Sequence, residues 1–232
     1  MKNKPICIIP ARGNSRRIKN KNIANFFGKP LIGHAIELAK QSNLFQRIIV
    51  TTDSKKIIKI AKKFGAETPF IRSKKLSASN VSTARVLLDC IKKINSIKST
   101  DHFCIYPTSP LILKSDLRNA YKIYKKNKSN NLIAVSDYDS HPLRALRITK
   151  KNTIKFFWSK NASKMSCNLQ KLVHDSGTFY IFKTKNFLKN RNLVGPKTSY
   201  YKLTRLRSID INEPVDLKIA KILFKYNKLS RK

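Results

Sequence analysis

Acidic residues are scarce in this sequence, and long hydrophobic runs are missing. Of 232 residues, 12 are Asp or Glu and 50 are Lys or Arg, which gives a formal net charge of +38. The opening segment offers only four consecutive apolar residues before Pro10, too few for the core of a signal peptide or for a membrane span. No later apolar run is longer than a buried strand. These absences predict a cytoplasmic protein without a membrane segment.

Cysteine is also sparse, and its spacing excludes two common classes of small protein. The four cysteines contain no Cys-x-x-Cys pair and have no histidines at zinc-finger spacing; they are Cys7, Cys90, Cys104 and Cys167. We therefore predict reduced cysteines, two of them on core strands. A chain of this length can bury a core without a metal or disulfide, so we expect one domain spanning residues 1–232.

The positive charge invites comparison with nucleic-acid-binding proteins, which use basic surfaces to neutralise phosphates. The excess here is mostly Lys, and it is spread over every predicted helix instead of forming one stripe or tail. Examples are Lys55, Lys56, Lys59, Lys62, Lys63, Lys92, Lys93, Lys122, Lys125 and Lys126. Lys, Asn and Ile are enriched together, as in proteins of AT-rich genomes. We attribute the excess of Lys to compositional drift and expect no nucleic-acid partner. The positive electrostatic field of the protein would still attract an anionic substrate such as a nucleoside triphosphate.

Apolar strands alternate with amphipathic helices along most of the chain. Strands are predicted at 6–9, 47–52, 69–71, 103–106, 132–136 and 178–182, and helices at 30–41, 54–64, 82–94, 115–126 and 214–226. This order predicts an α/β fold with a three-layer, mainly parallel sheet. Between 137 and 175 it breaks into short strand-like pieces at 146–148 and 154–158. We interpret 137–175 as an insertion that serves as a dimer arm.

The most informative loop follows the first strand. Residues 11–22 contain five cationic side chains, two small residues and no carboxylate. Small residues let backbone N–H groups approach a triphosphate, and Arg or Lys neutralise its oxygens. The loop matches neither the Walker motif nor the three-glycine dinucleotide motif. It is either a triphosphate-binding loop or a solvated basic loop.

The residues at 8–18 read Ile-Ile-Pro-Ala-Arg-Gly-Asn-Ser-Arg-Arg-Ile, and 28–32 read Gly-Lys-Pro-Leu-Ile. Further strings follow in order at 49–53, 70–72, 107–111, 141–144 and 208–211. Together they resemble the acylneuraminate cytidylyltransferases, which include CMP-sialic acid synthetases and their pseudaminic and legionaminic acid relatives. The resemblance implies the Rossmann-like fold of nucleotide-diphospho-sugar transferases, a homodimer, Mg²⁺, and CMP transfer from CTP to the anomeric hydroxyl of an acidic nine-carbon sugar.

The resemblance also implies roles for individual residues. Those matching the CTP site are Arg12, Ser15, Arg16, Lys21, Asn22, Arg72, Ser82 and Thr83. Those matching the sugar site are Tyr106, Arg144, His174 and Tyr180. We assign Arg12, Lys21 and Asp210 to catalysis, with Asp210 as the magnesium ligand.

Local chemistry supports the metal assignment. Asp210, Glu213 and Asp216 place three of the twelve carboxylates within seven residues. A magnesium ion that bridges phosphates takes one or two protein carboxylates and keeps several waters. Alternatively, Asn212 caps the following helix, with the acids in its first turn. Both roles can hold together.

Departures from the sialic acid enzymes favour pseudaminic acid as the acceptor. Asn212 stands where a second aspartate is common, Tyr106 where a Gln is common, and residues 174–177 read His-Asp-Ser-Gly, as in the pseudaminic branch. Met165 stands where that branch usually has an arginine. His174 is either a general base or a hydrogen-bonding residue of the pocket.

The sequence also fits other functions. The acceptor could be legionaminic or N-acetylneuraminic acid, and a non-catalytic CTP-binding homologue is an alternative. A cytidylyltransferase for an eight-carbon acidic sugar shares Ile-Pro-Ala-Arg but has a shorter spacing before Gly-Lys-Pro. A basic nucleic-acid-binding protein is the alternative from a different class.

Overall fold

The computed structural model describes residues 4–15, 17–96 and 101–229, the last two of these (228 and 229) by their backbone only. The strands are β1 (Ile6–Pro10), β2 (Asn25–Phe26), β3 (Lys29–Pro30), β4 (Arg47–Thr51), β5 (Asp101–Ile105), β6 (Asn131–Asp137), β7 (Leu146–Ile148), β8 (Ile154–Phe156), β9 (Val173–Lys183) and β10 (Thr198–Lys202). The helices are α1 (Leu31–Ser42), α2 (Lys55–Lys63), α3 (Thr83–Lys93), α4 (Lys114–Lys126), α5 (Thr184–Asn190) and α6 (Pro214–Leu229).

The central sheet has the strand order β10-β6-β9-β5-β1-β4. The pairs β1–β4, β1–β5 and β6–β10 are parallel, whereas β9 runs antiparallel to both of its neighbours. The prediction of a mainly parallel sheet is confirmed. Because the parallel strands end at one edge, the loops that follow them gather there.

Helices cover both faces of the sheet, as the alternation of side chains along each strand requires. In β1, Cys7 and Ile9 pack on the face covered by α1, α2 and α4, whereas Ile6 and Ile8 pack on the face covered by α3 and α5. Each such side chain contributes about 1.5–3 kcal/mol when fully buried. The three-layer prediction is therefore confirmed.

A third, smaller cluster fixes the end of the chain. Phe26 and Leu31 pack with Leu111, Ile211 and α6. This cluster holds the segment before α6 over the carboxyl edge of the sheet. The same packing brings residue 210 close to the loop that follows β1.

Several elements differ from the sequence-based expectations. The strand expected at 69–71 is only an isolated bridge between Thr52 and Ile71. Strand β9 begins at residue 173, inside the expected insertion, which therefore ends earlier than residue 175. Helix α5 and strand β10 were not predicted. Within the described residues, no helix is long and apolar enough to cross a membrane.

The middle of the expected insertion forms a separate hairpin. Strands β7 and β8 pair with each other in antiparallel register and do not join the central sheet. The cysteines follow the prediction, because Cys7 and Cys104 lie buried on core strands and all four are free.

Candidate active site

A cavity of about 270 Å³ lies at the carboxyl edge of β1 and β5. We call it the first cavity. The predicted site residues in its wall are Arg12, Lys21, Asn22, Arg72, Thr83 and Tyr106. Residues far apart in the chain thus meet where an open α/β sheet usually binds its ligand.

The basic loop is fixed to the sheet by its backbone. The Gly13 N–H donates to Asp53 Oδ1 at 2.8 Å, and the Asn22 amide donates to the Arg12 carbonyl at 2.9 Å. An added Cβ on Gly13 would lie 2.8 Å from Cβ of Ser54, so only glycine fits without a shift. These contacts hold the loop backbone at residues 12 and 13 close to the strand edge.

Arg72 is a buried cation in the wall of the first cavity, with 4% of its surface exposed. Its guanidinium donates to the Ser77 hydroxyl at 3.0 Å and the Thr51 carbonyl at 3.2 Å, and it lies 3.9 Å from an Asp53 oxygen. Burial lowers its pKa, and the charge of Asp53 opposes that shift. The protein thus fixes the position and orientation of the Arg72 guanidinium.

A second cavity, of about 280 Å³, adjoins the first and shares Lys21, Tyr106 and Thr108 with it. Its remaining wall contains Gly177, Tyr180, Asp210 and Asn212. The structure thus brings the proposed catalytic lysine and the proposed metal ligand to one space. Lys21, Tyr106 and Thr108 thus border both spaces.

Asp210 is held by two donors. The Thr108 hydroxyl donates to its Oδ1 at 3.2 Å, and the Asn212 amide donates to its Oδ2 at 2.6 Å. Within the described part of the chain, no cluster of three His, Cys, Asp or Glu side chains could hold a metal. One carboxylate fits a cation that takes its other ligands from phosphates and water.

Asn212 lies between the cations and the carboxylate. Its Oδ1 accepts from Arg17 at 3.0 Å and from Lys21 Nζ at 3.3 Å, while Lys21 also donates to the Ile211 carbonyl at 2.7 Å. Burial lowers the pKa of Lys21, and the charge of Asp210 opposes that shift. The asparagine therefore holds three charged groups in a fixed arrangement.

The helix-capping role belongs to Asp216, not to Asn212. The Asp216 carboxylate accepts from the backbone N–H groups of Asn212 and Glu213, at 2.8 and 2.7 Å. Glu213 faces the solvent beside Arg17, 3.9 Å away. The three carboxylates near the end of the chain thus have three different surroundings.

Two tyrosines form the other side of the second cavity. Tyr106 is hydrogen-bonded to the Thr83 hydroxyl, and the rings of Tyr106 and Tyr180 meet edge to face at 5.9 Å. The Tyr180 hydroxyl donates to an oxygen of Asp175. Burial raises the pKa of both hydroxyls, so both are protonated at neutral pH.

His174 and Arg144 lie farther out. His174 lines a third cavity of about 1080 Å³, which meets the second at Gly177 and Asp210. Arg144 lines a fourth cavity of about 890 Å³ and donates to the Lys164 carbonyl at 3.1 Å. The structure therefore does not bring Arg144 to the wall of the second cavity.

Of three other predicted site residues, two do not line the first cavity. The third is not among the residues that the structure describes. Ser82 caps α3 by accepting from the Arg85 N–H at 3.5 Å and is not among the wall residues of the first cavity. Ser15 is half-buried in the loop but lines neither of the first two cavities. Arg16 lies outside the described residues.

Sequence reasoning missed the roles of Asp53, Arg17 and Thr108. Asp53 fixes the basic loop, Arg17 contacts Asn212, and Thr108 contacts Asp210. A signal existed for Asp53 and Thr108, because both follow closely on buried strands whose carboxyl ends share one edge. Nothing local in the sequence distinguishes Arg17 from its cationic neighbours.

The chain is similar to several known proteins. A family model described as Cytidylyltransferase matches residues 6–224. A pseudaminic acid cytidylyltransferase from Campylobacter jejuni is 38% identical over 97% of both chains. A CMP-N,N'-diacetyllegionaminic acid synthase from Legionella pneumophila is 28% identical over 96% of this chain and 97% of its own.

Solved structures show the same fold. A CMP:2-keto-3-deoxy-manno-octonic acid synthetase complexed with CTP superposes with a TM-score of 0.73 at 14% identity, over 97% of this chain and 100% of its own. A 4-diphosphocytidyl-2C-methyl-D-erythritol synthase from Anaerococcus prevotii gives a TM-score of 0.66 at 12% identity, with 97% of each chain covered. At these identities the likeness concerns the fold alone, and it confirms the expected Rossmann-like α/β fold.

Proposed function

The chain belongs to the cytidylyltransferase family, and from that membership we infer that it transfers CMP from CTP to the anomeric hydroxyl of an acidic nine-carbon sugar, releasing pyrophosphate. The favoured acceptor is pseudaminic acid. The observation that carries this choice is the 38% identity to a pseudaminic acid cytidylyltransferase over 97% of both chains. The lower identity to the legionaminic acid enzyme leaves legionaminic and N-acetylneuraminic acids as the alternative acceptors.

In this proposal the first cavity holds the nucleotide. Arg12 and Lys21 neutralise the phosphates, and Arg72 adds a buried charge in the same wall. Asn22 keeps the loop backbone in place through the Arg12 carbonyl, and hydrogen bonds hold the Lys21 and Arg72 side chains before CTP binds. Such preorganised charges supply most of the acceleration in phosphoryl and nucleotidyl transfer. Ser15 and Arg16 complete the proposed phosphate loop.

Asp210 holds Mg²⁺ in this proposal. The cation, when bound, screens the charge on the triphosphate and on the leaving pyrophosphate. Asn212 offers a neutral oxygen where a second carboxylate would stand, and its Oδ1 already accepts from Lys21 and Arg17. We therefore expect one protein carboxylate per metal site.

The acceptor occupies the second cavity and extends into the third. Tyr106 and Tyr180 line the space next to Asp210, and His174 lies farther out. Arg144 serves the sugar carboxylate only if the acceptor extends as far as the fourth cavity, which shares residues 137–140 with the third.

The protein acts as a homodimer in this proposal, through the β7–β8 hairpin and the segment after it. This region exposes large apolar side chains, with 78% of Ile148, 64% of Ile154 and 61% of Phe157 accessible. Apolar side chains gathered on one projecting hairpin are typical of an interface. Because CTP is a cytoplasmic metabolite, the proposed compartment is the cytoplasm.

Pyrophosphate release tests the function. The purified protein is incubated with CTP and Mg²⁺, and pseudaminic, legionaminic or N-acetylneuraminic acid is offered separately. We expect release with pseudaminic acid, and strong loss of release on chelating the metal or in Asp210→Asn. Glu67→Gln, in an exposed ion pair with Arg47, is the matched control.

Each alternative has its own outcome. CTP binding without pyrophosphate release in the presence of any of the three sugars would point to a non-catalytic homologue. Steeply salt-dependent DNA binding with no turnover would favour the nucleic-acid-binding alternative.

A further inference from the structure

Strand β9 contains a bulge that changes which side chains share a face. Tyr180 lies opposite Ile133, and Asp175 lies opposite Val135, so β9 advances five residues while β6 advances two. In a regular strand, residues five apart point to opposite faces of the sheet. The extra residues of the bulge bring Tyr180 and Asp175 to the same side, where the hydroxyl donates to the carboxylate.

Gly177 makes this bulge possible. Its φ of +62° is in the left-handed region, and its N–H donates to Asp175 Oδ1 at 2.9 Å. An added Cβ would lie 3.2 Å from Asp210 Oδ2, so the bulge also lies close against the proposed metal ligand. The backbone therefore holds the carboxylate with one oxygen bonded to Gly177 and the other to Tyr180.

Tyr180 separates Asp175 from the second cavity. The tyrosine lines that cavity with Lys21 and Asp210 and is 7% exposed, whereas Asp175 lines only the third cavity. A phenol that donates its proton to a carboxylate keeps an oxygen lone pair free to accept another proton. The arrangement is that of a base acting through an intermediate hydroxyl.

We propose that Tyr180 and Asp175 together accept the proton of the sugar hydroxyl that attacks CTP. As the bond forms between the hydroxyl oxygen and the α-phosphorus, the bond from that phosphorus to the bridging oxygen of pyrophosphate breaks. The hydroxyl proton moves to the Tyr180 oxygen while the phenolic proton moves to Asp175. Pyrophosphate leaves with the electron pair, and Asp175 later returns its proton to the solvent.

His174 is a weaker choice for this role. Its Nδ1 lies 2.8 Å from the backbone carbonyl of Asp175, and its ring packs against Tyr138 at 5.0 Å. It lines the third cavity and not the second. Tyr180 therefore shares a cavity with both Asp210 and Lys21, where the proposed reaction takes place, whereas His174 shares one with Asp210 but not with Lys21.

This inference rests on the proposed function, and its test compares isosteric variants of the full chain. Tyr180→Phe removes the hydroxyl, and Asp175→Asn keeps an oxygen that accepts from Tyr180 but takes up no proton. We expect each to lower kcat about 10²-fold, the size typical of a lost general base, while KM and the affinity for CTP change little. The double variant should be no slower than either single variant, because the two residues act as one unit.

Tyr200→Phe is the matched control, because Tyr200 lies on the edge strand β10 and is largely exposed. An unchanged kcat in Tyr180→Phe, or a raised KM with unchanged kcat, would overturn the proposal, since the pair would then only bind the sugar. Additive losses in the double variant would also overturn it. Absence of turnover in the unsubstituted protein with all three sugars would instead refute the proposed function, and CTP binding by each variant reports that it has folded.

Discussion

The site has a nucleotide side, which is the first cavity, and an acceptor side, which is formed by the second and third cavities. The two sides are built differently. The first cavity is small, about 270 Å³, and hydrogen bonds hold Lys21 and Arg72 in its wall. The third cavity is about 1080 Å³, and Arg144 beyond it is exposed. A shared substrate such as CTP suits a rigid, fully formed site. An open acceptor side allows related enzymes to differ in the sugar that they take, so, apart from Tyr180 and Asp175, we expect substitutions on the nucleotide side to cost more.

The largest effect is expected at Lys21, where the first and second cavities meet. Lys21→Ala removes a half-buried cation that lies beside both the phosphates and Asp210 in the proposed complex. We expect kcat to fall about 10²-fold or more, as when one preorganised donor is lost. Turnover at saturating CTP measures this. Lys19→Ala, an exposed lysine of the same loop, should retain activity, and equal losses in both would contradict the assignment.

The fixed position of the basic loop is tested at Gly13. Gly13→Ala places a methyl group 2.8 Å from Cβ of Ser54, so the loop must move away from the strand edge. We expect the Kd for CTP to rise by about 10-fold, because small misplacements of binding groups have large costs. Titration calorimetry measures the affinity.

A second substitution should rescue Gly13→Ala. Ser54→Gly removes the atoms that clash and, as an N-cap change to glycine, costs only a few tenths of a kcal/mol. A double variant that binds CTP as poorly as the single variant would show that the clash is not the cause.

Asn212→Asp tests the proposed metal site by adding a negative charge beside Asp210. A second carboxylate beside Asp210 should bind a cation more tightly, so the half-saturating Mg²⁺ concentration should fall several-fold. Activity measured over a range of Mg²⁺ concentrations gives this value. Asn212→Ala should shift it the opposite way, because the amide that holds Asp210 is lost. An unchanged Mg²⁺ requirement in both variants would argue against Asp210 as the ligand.

The smallest effect is expected at Arg144 on the acceptor side. An exposed ion pair contributes roughly 1 kcal/mol or less, so Arg144→Ala should raise the KM for the sugar by no more than about 5-fold. The KM for CTP should stay unchanged. A loss as large as that in Lys21→Ala would show that Arg144 reaches the reacting groups after a movement of the hairpin region.

The sequence predicts the nucleotide side better than the acceptor side, for physical reasons. The loop at 11–22 follows β1, and Arg72 follows the bridge that Ile71 makes beside the end of β4; the carboxyl ends of parallel strands converge without further information. The positions of His174 and Arg144 depend instead on the path of residues 137–172, where short elements pack irregularly. Local propensity does not specify that path.

The antiparallel strand β9 shows a second limit of prediction from the sequence. The apolar run near 178–182 predicts a strand but not its direction, and the polar start of β9 hides its true length. Strand β10 lies at the edge of the sheet and carries polar and half-exposed residues, so it has no clear hydrophobic pattern. The Tyr180–Asp175 contact follows only from the bulge, since regular alternation places the two side chains on opposite faces.

The bond between Arg17 and Asn212 joins residues 195 positions apart, and the Lys21 contact with Ile211 spans 190. Residues 17 and 21 and residues 211 and 212 therefore close the site together. During synthesis the basic loop leaves the ribosome long before Ile211 and Asn212, which contact Lys21 and Arg17, are made. We expect the growing chain to acquire its core long before it can hold a nucleotide, so that shortened chains ending before α6 fail to bind CTP even where their sheet has formed.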